Sequence, residues 1–253
     1  MSLNFDPNQN YYLFNKRNSV PLVFIHGVGL DHQMWNNQVS YFNEYSTLTY
    51  DLVGHGKTPS NKDKLSLRDF SNQLLEILDH LEVEKINLIG FSLGSLIALD
   101  FSSHFQKKVE KLILIGTTYK RSDEERSLVL DRYNQAKLNK PISKQALKRW
   151  FSDKYLKDNP KTYDLFMKIL NKEPKDHKNF LKAYELFANH HDDFETIKKI
   201  DRKTLVITGS DDVGSTPAMS KELIKDLVNS TYIEIKNGKH LCSIECADDV
   251  NMN

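Results

Sequence analysis

Ser92 sits in Gly90-Phe91-Ser92-Leu93-Gly94, between the apolar run Ile86-Asn87-Leu88-Ile89 and a stretch to Asp100 that reads as an amphipathic helix. A serine on so tight a strand-to-helix turn is pushed outward with its hydroxyl exposed. Flanking glycines remove the side chains that would clash where the chain reverses. Such a nucleophile elbow serves covalent catalysis by serine. An unassisted hydroxyl is a poor nucleophile at neutral pH, so it needs a base within hydrogen-bond reach and a group that orients that base. With this elbow, the acid and then the histidine follow the serine along the chain. The short G-x-S-x-G spacing also suits a plain helix-capping turn, so the downstream partners carry the reading.

Of nine histidines, only His240 follows the candidate acids, in the loop Lys236-Asn237-Gly238-Lys239-His240 just beyond an apolar strand. His190 and His191 read as a polar patch on a helix. His26 and His55, each beside glycine, suit local backbone hydrogen bonds, and His32, His80, His104 and His177 read as surface residues. The acid is Asp211 or Asp212, which end the strand running into Gly209-Ser210. Adjacent side chains in a turn point different ways, so only one can serve. A developing oxyanion needs two donors. One is the Leu93 N–H, where a helix begins and its dipole helps. The other is assigned to the Val28 N–H, because His26-Gly27-Val28-Gly29 lets the chain fold over Ser92.

The elements that must hold these residues are legible as short apolar runs. Residues 11–14 read as an edge strand; 21–25, 47–50, 86–90, 111–116, 204–208 and 231–235 read as further strands. Ser66 with Asp69 three residues on predicts a capped helix whose face is Phe70, Leu74, Ile77, Leu78 and Leu81. Strands alternating with helices predict a parallel sheet covered on both faces. From about Thr118 to Ile200 only helical periods occur. Examples are Tyr163, Phe166, Met167 and Leu170 behind Asn159-Pro160, then Phe180, Tyr184 and Phe187, and Ala146, Leu147, Trp150 and Phe151. The expected fold is α/β: a mostly parallel twisted sheet of about eight strands, helices on both faces, and a helical cap inserted after the sixth strand. Residues 1–117 and 201–253 would form the core and 118–200 the cap, over the sheet edge where open α/β sheets bind ligands. A final helix after His240 would be short or cut off.

Composition narrows the partners. Lys plus Arg number 35 against 34 for Asp plus Glu in 253 residues, so no net field favours nucleic acid or an anionic membrane. The longest apolar runs are too short to span a bilayer. Met1 to Asp6 has neither the basic start nor the apolar core of a secretory signal, so cytoplasm is the expected location. Cys242 and Cys246, spaced i, i+4, read as reduced thiols on a helix face, with the wrong spacing for zinc. No metal or organic cofactor is expected, and the partner is a small molecule.

Taken together, several segments resemble the α/β-hydrolase fold superfamily over nearly the whole chain outside the helical stretch. They are His26-Gly27-Val28-Gly29 with Trp35, Asp51-Leu52-Val53-Gly54-His55-Gly56-Lys57-Thr58, Gly90 to Gly94, Gly209 to Asp212, and Gly238-Lys239-His240. In that superfamily the acid usually lies three residues after the strand-ending glycine, so the resemblance implies Asp212. It implies a triad Ser92–Asp212–His240 with an oxyanion hole at Val28 and Leu93. The tail from His240 to Glu245 looks most like the 3-oxoadipate enol-lactonase and small carboxylesterase branch. Dehalogenases and epoxide hydrolases of this fold carry aspartate where Ser92 stands. Carbon–carbon bond hydrolases of the meta-cleavage type usually have tryptophan where Leu241 stands, and Ser95 replaces a third glycine. The implied activity is hydrolysis of a small carboxylic ester or lactone through an acyl-enzyme. The same triad would also serve carbon–carbon cleavage or an elimination, and some members of the fold are small-molecule receptors.

Overall fold

Alternation of apolar side chains decides the architecture. In β2 (Leu22–Ile25), Val23 and Ile25 turn to one side of the sheet and Phe24 to the other, and all three are buried. This two-sided burial is the mark of a parallel sheet sandwiched between helices. The computed structural model describes residues 4–138 and 142–253. With β1 (Tyr12–Asn15), β3 (Thr47–Tyr50), β4 (Ile86–Phe91), β5 (Val109–Ile115), β6 (Lys203–Gly209) and β7 (Ser230–Ile235), the strands form one sheet in the order β1-β3-β2-β4-β5-β6-β7. β1 pairs antiparallel with β3; the other neighbours are parallel.

Two expectations need correction. Among the described residues the sheet has seven strands rather than about eight, and the helical insertion follows the fifth strand rather than the sixth. Ahead of β1 the described residues make only an isolated antiparallel bridge between Phe5 and Tyr11. The Asp6 carboxylate accepts from Asn8 N (2.9 Å) and Asn10 N (2.8 Å), so this segment closes a side-chain turn instead of extending a ladder.

Three helices lie in the connections before the insertion: α1 (Asn36–Tyr41), α2 (Leu67–His80) and α3 (Leu93–His104). The Ser66–Asp69 capping box starts α2, which buries Phe70, Leu74, Ile77 and Leu78. The helix after the elbow is not amphipathic as expected. Every residue of α3 from Leu93 to Leu99 is buried, because it lies between the sheet and α2. Such a helix has no solvent face to mark with charge.

The insertion comprises α4 (Asp123–Lys137), α5 (Ser143–Trp150), α6 (Asp153–Asp158), α7 (Pro160–Leu170), α8 (Pro174–Asn189) and α9 (Phe194–Ile197). The closing elements are α10 (Pro217–Asp226), α11 (Cys242–Glu245) and α12 (Ala247–Met252). Two arginines tie the end of α8 to the start of the insertion. Arg121 donates to Phe187 O (2.8 Å) and His190 O (3.1 Å), and Arg126 donates to His190 O (2.7 Å). Cations satisfy the free carbonyls and the negative end of a helix dipole there. The insertion meets the loops at the carboxyl ends of the strands. Leu241 N donates to Trp150 O (3.0 Å), and a Cβ at Gly29 or Gly54 would stand 3.0 Å from Phe180 or Asn179. No described helix is long and apolar enough to cross a membrane.

Candidate active site

Ser92 follows β4 directly with φ +53° and ψ −114°, a backbone conformation that side chains disfavour. Its surroundings hold it there. Ser92 N donates to Ile115 O (2.9 Å) at the end of the neighbouring strand. A Cβ at Gly90 would come within 2.7 Å of Ser95 Cα, and one at Gly94 within 2.7 Å of His26 O. Ser95, in place of a third glycine, turns its buried hydroxyl back to donate to Gly90 O (2.7 Å). The substitution therefore adds a tie across the elbow.

Asp212 and His240 arrive from β6 and β7. Asp212 Oδ1 accepts from Gly214 N (2.8 Å) and Ser215 N (2.9 Å), while Oδ2 stands 2.7 Å from His240 Nδ1. Asp211 is exposed and accepts from the Ser210 hydroxyl (2.8 Å). With Nδ1–H donating to the carboxylate, Nε2 of His240 is left as an acceptor. The ring lies against Phe91 (centroids 4.8 Å apart) and Trp150 (6.4 Å). On a further side is Gly116, φ +58°, where a Cβ would stand 3.2 Å from the imidazole. Ser92, Asp212 and His240 all line one cleft. Among the described residues no hydrogen bond joins the Ser92 hydroxyl to the imidazole. Such bonds commonly tighten only when substrate is bound.

Val28 lines the same cleft, and Leu93 opens α3 beside it. Among the described residues neither amide donates to a protein acceptor, so both are free for a ligand oxygen. The loop bearing Val28 comes close because Gly27 has no side chain; a Cβ there would stand 2.9 Å from the Phe91 ring. Two buried histidines fix its course. His26 Nε2 accepts from Leu52 N (3.0 Å), which leaves Nδ1–H to donate to Gly27 O (2.8 Å). His55 Nε2 accepts from Gly29 N (3.1 Å), which leaves Nδ1–H to donate to Val53 O (3.2 Å). Both expected local bonds are present, and each ring also braces a distant loop.

These two rings make stability depend on pH. Burial, ahead of any charge, pushes both imidazoles below their ordinary range. The unfolded chain takes up protons near pH 6.5 that the folded chain refuses. The stabilisation from the neutral rings is therefore complete above about pH 6.5 and is lost as pH falls below it. With both rings silent the slope approaches about 2.7 kcal/mol per pH unit. Urea midpoints measured from pH 7.5 down to 5.0 should fall accordingly, and a flat profile would contradict the assigned tautomers.

His32 is not a free surface residue, contrary to expectation. Its Nδ1 lies 2.7 Å from Asp51 Oδ1, and the buried Asp51 also accepts from His32 N (2.9 Å) and Lys57 N (2.8 Å). A buried carboxylate demands such partners. With Asp31 these residues form a compact cluster of potential metal ligands. Asp31 Oδ1, however, accepts from Gln33 N (2.9 Å), and the Asp51 oxygens are engaged as above. The cysteines do not share one continuous helix, because α11 ends at Glu245 and Cys246 caps it. Both are unpaired, and burial pushes both thiols up, Cys246 to about 11. Neither is poised as a thiolate.

Four cleft residues carried no functional signal in the sequence: Arg132, Arg149, Tyr184 and Phe187. The aromatic residues were legible only as helix faces, and a lone arginine in a charged helix looks like a solvated one. Trp150 likewise turns from a helix-face residue into a wall of the cleft.

A protein from Acinetobacter baylyi, (E)-2-((N-methylformamido)methylene)succinate hydrolase, is 28% identical over 99% of this chain and 94% of its own. From the same organism, 3-oxoadipate enol-lactonase 2 is 24% identical over 93% of this chain and 87% of its own. The crystal structure of the enol-lactonase from Burkholderia xenovorans LB400 superposes with a TM-score of 0.89 at 22% identity, covering 99% of this chain and 96% of that one. That last likeness is one of fold. The family description "alpha/beta hydrolase fold" matches residues 20–246, which is most of the chain. The protein belongs to the α/β hydrolase fold family.

Proposed function

We propose that the protein is a serine hydrolase that cleaves a small carboxylic ester or lactone through an acyl-enzyme. The observation that carries this reading is the Asp212–His240 pair, 2.7 Å apart, in the cleft that also holds the strained Ser92. Ser92 Oγ attacks the carbonyl carbon as its proton passes to His240 Nε2. Asp212 holds the imidazole in the right tautomer and stabilises its charged form. The negative oxygen of the tetrahedral intermediate accepts from the Val28 and Leu93 amides. Loss of one such donor typically costs about 3 kcal/mol in the transition state. The intermediate collapses, the C–O bond to the leaving alcohol breaks, and that oxygen takes the proton from His240. Water, deprotonated by the same imidazole, then attacks the acyl carbon and releases the acid and Ser92.

The helices between β5 and β6 act in this reading as a cap over the reacting groups. The proposed setting is the cytoplasm, in keeping with two unpaired cysteines. A fluorophosphonate probe tests the nucleophile directly. It should add one label per chain, and peptide mapping should find it on Ser92. A native chain that stays unlabelled, or is labelled only elsewhere, would remove the covalent mechanism.

A further inference from the structure

Seven arginines occur in the sequence, and five are held by carboxylates or backbone carbonyls. Arg17 donates to Asn43 O, Arg68 pairs with Asp100, Arg202 pairs with Asp201, and Arg121 and Arg126 hold the end of α8. The other two, Arg132 on α4 and Arg149 on α5, both line the cleft that holds Ser92. Among the described residues neither forms an ion pair. Among the described residues the one carboxylate lining that cleft is Asp212, whose oxygens are engaged by two amides and His240. Burial pushes the Arg149 guanidinium below its ordinary range, and the positive charge of Arg132 adds to this. Tyr184, lying near both and hydrogen-bonded to Arg132, is pushed up by burial and is therefore a neutral phenol at physiological pH, so it supplies no counter-charge. Two like charges facing a half-enclosed cavity without a counter-ion repel one another.

We infer that Arg132 and Arg149 together form a carboxylate-binding subsite, so that the substrate is an ester or lactone carrying a free carboxylate. This rests on the hydrolase reading above. An anion between the guanidiniums removes their repulsion, and the planar donor fork fits a carboxylate with two parallel hydrogen bonds. The same cleft is also lined by Val129, Phe187 and Leu30, apolar side chains that suit a short hydrocarbon link. Carboxylate and scissile carbonyl would thus belong to one small molecule, with the charge seated in the insertion and the reacting carbon at the sheet edge.

The test compares two esters matched in chain length, p-nitrophenyl hydrogen adipate and p-nitrophenyl hexanoate. A charged hydrogen bond is worth about 1.5–3 kcal/mol, so the ratio of kcat/KM for the charged over the neutral ester should fall roughly 10- to 100-fold in Arg149→Met or Arg132→Met. Lys144→Met removes an exposed charge from the same helix as Arg149 and should leave the ratio within about 2-fold. An unchanged ratio in both arginine variants overturns the inference, as does an equal fall in the lysine variant. Calorimetry on Ser92→Ala separates this claim from the hydrolase reading, because it needs no turnover. Succinate, glutarate or adipate should bind, and either arginine substitution in that background should weaken binding at least about 10-fold. Failure of all three to bind, or tighter binding of inorganic phosphate, overturns the carboxylate assignment even if Ser92 proves to be the nucleophile. Binding with an unreactive Ser92 would support the subsite and sink only the hydrolase reading.

Discussion

Ser92→Ala is expected to lower kcat on a short p-nitrophenyl ester by about four to six orders of magnitude. Removing the hydroxyl deletes the covalent intermediate, and what remains is oxyanion binding and positioning. The melting temperature should hardly move, because alanine keeps the Cβ and with it the unfavourable φ of +53° and ψ of −114°. Ser92→Gly separates reactivity from strain. Glycine accepts that conformation freely, so it should be as inactive as the alanine variant yet more stable by about 1 kcal/mol. The two variants are distinguished by paired kinetics and thermal unfolding. Residual turnover within about tenfold of the parent in either would end the serine mechanism. Equal stability of the two would show that the elbow stores no strain.

Asp212→Asn should reduce kcat by roughly 10³- to 10⁴-fold while the fold persists. The reason lies in how the carboxylate is hooked. Oδ1 accepts from both Gly214 N and Ser215 N, and an asparagine can keep those bonds only with its carbonyl oxygen in that place. Its NH2 group then faces His240 Nδ1. Two donors cannot share a hydrogen bond, so the ring must become the tautomer with its proton on Nε2, which cannot take the serine proton. Asp211→Asn changes an exposed side chain whose partner is the Ser210 hydroxyl, and should alter kcat by less than about 2-fold. Equal losses in the two variants would refute the separate roles assigned to these neighbours.

Much of the fold was legible because each strand is short, apolar and bounded by turn residues. The runs beginning at Ile86, Thr204 and Thr231 all became strands within a residue or two of their expected limits. The seven runs named as strands all formed strands, and among the described residues no further run supplies an eighth. The helix from Asp123 to Lys137 was not singled out, since its buried face is only Val129, Tyr133 and Ala136 in a highly charged stretch. Ser92 and His240 could be named from motif and chain order alone. Asp212 could not be told from Asp211 by residue type; the distinction lies in the turn that presents it to Gly214 and Ser215. Arg132 and Arg149 stayed hidden because their meaning depends on which helices border the cleft, and α4 and α5 reach it together only in three dimensions.

The side chains proposed to react hang from strand ends of the sheet, whereas Arg132, Arg149, Trp150, Tyr184 and Phe187 belong to the helices between β5 and β6. On the proposed reading, bond-breaking power and molecular preference are thus inherited from separate stretches of one polypeptide. Drift in the inserted stretch can retune what is admitted without disturbing the proton relay beneath. A graft of a foreign segment between Ile115 and Lys203 would be the shortest route to a new appetite on an unchanged engine.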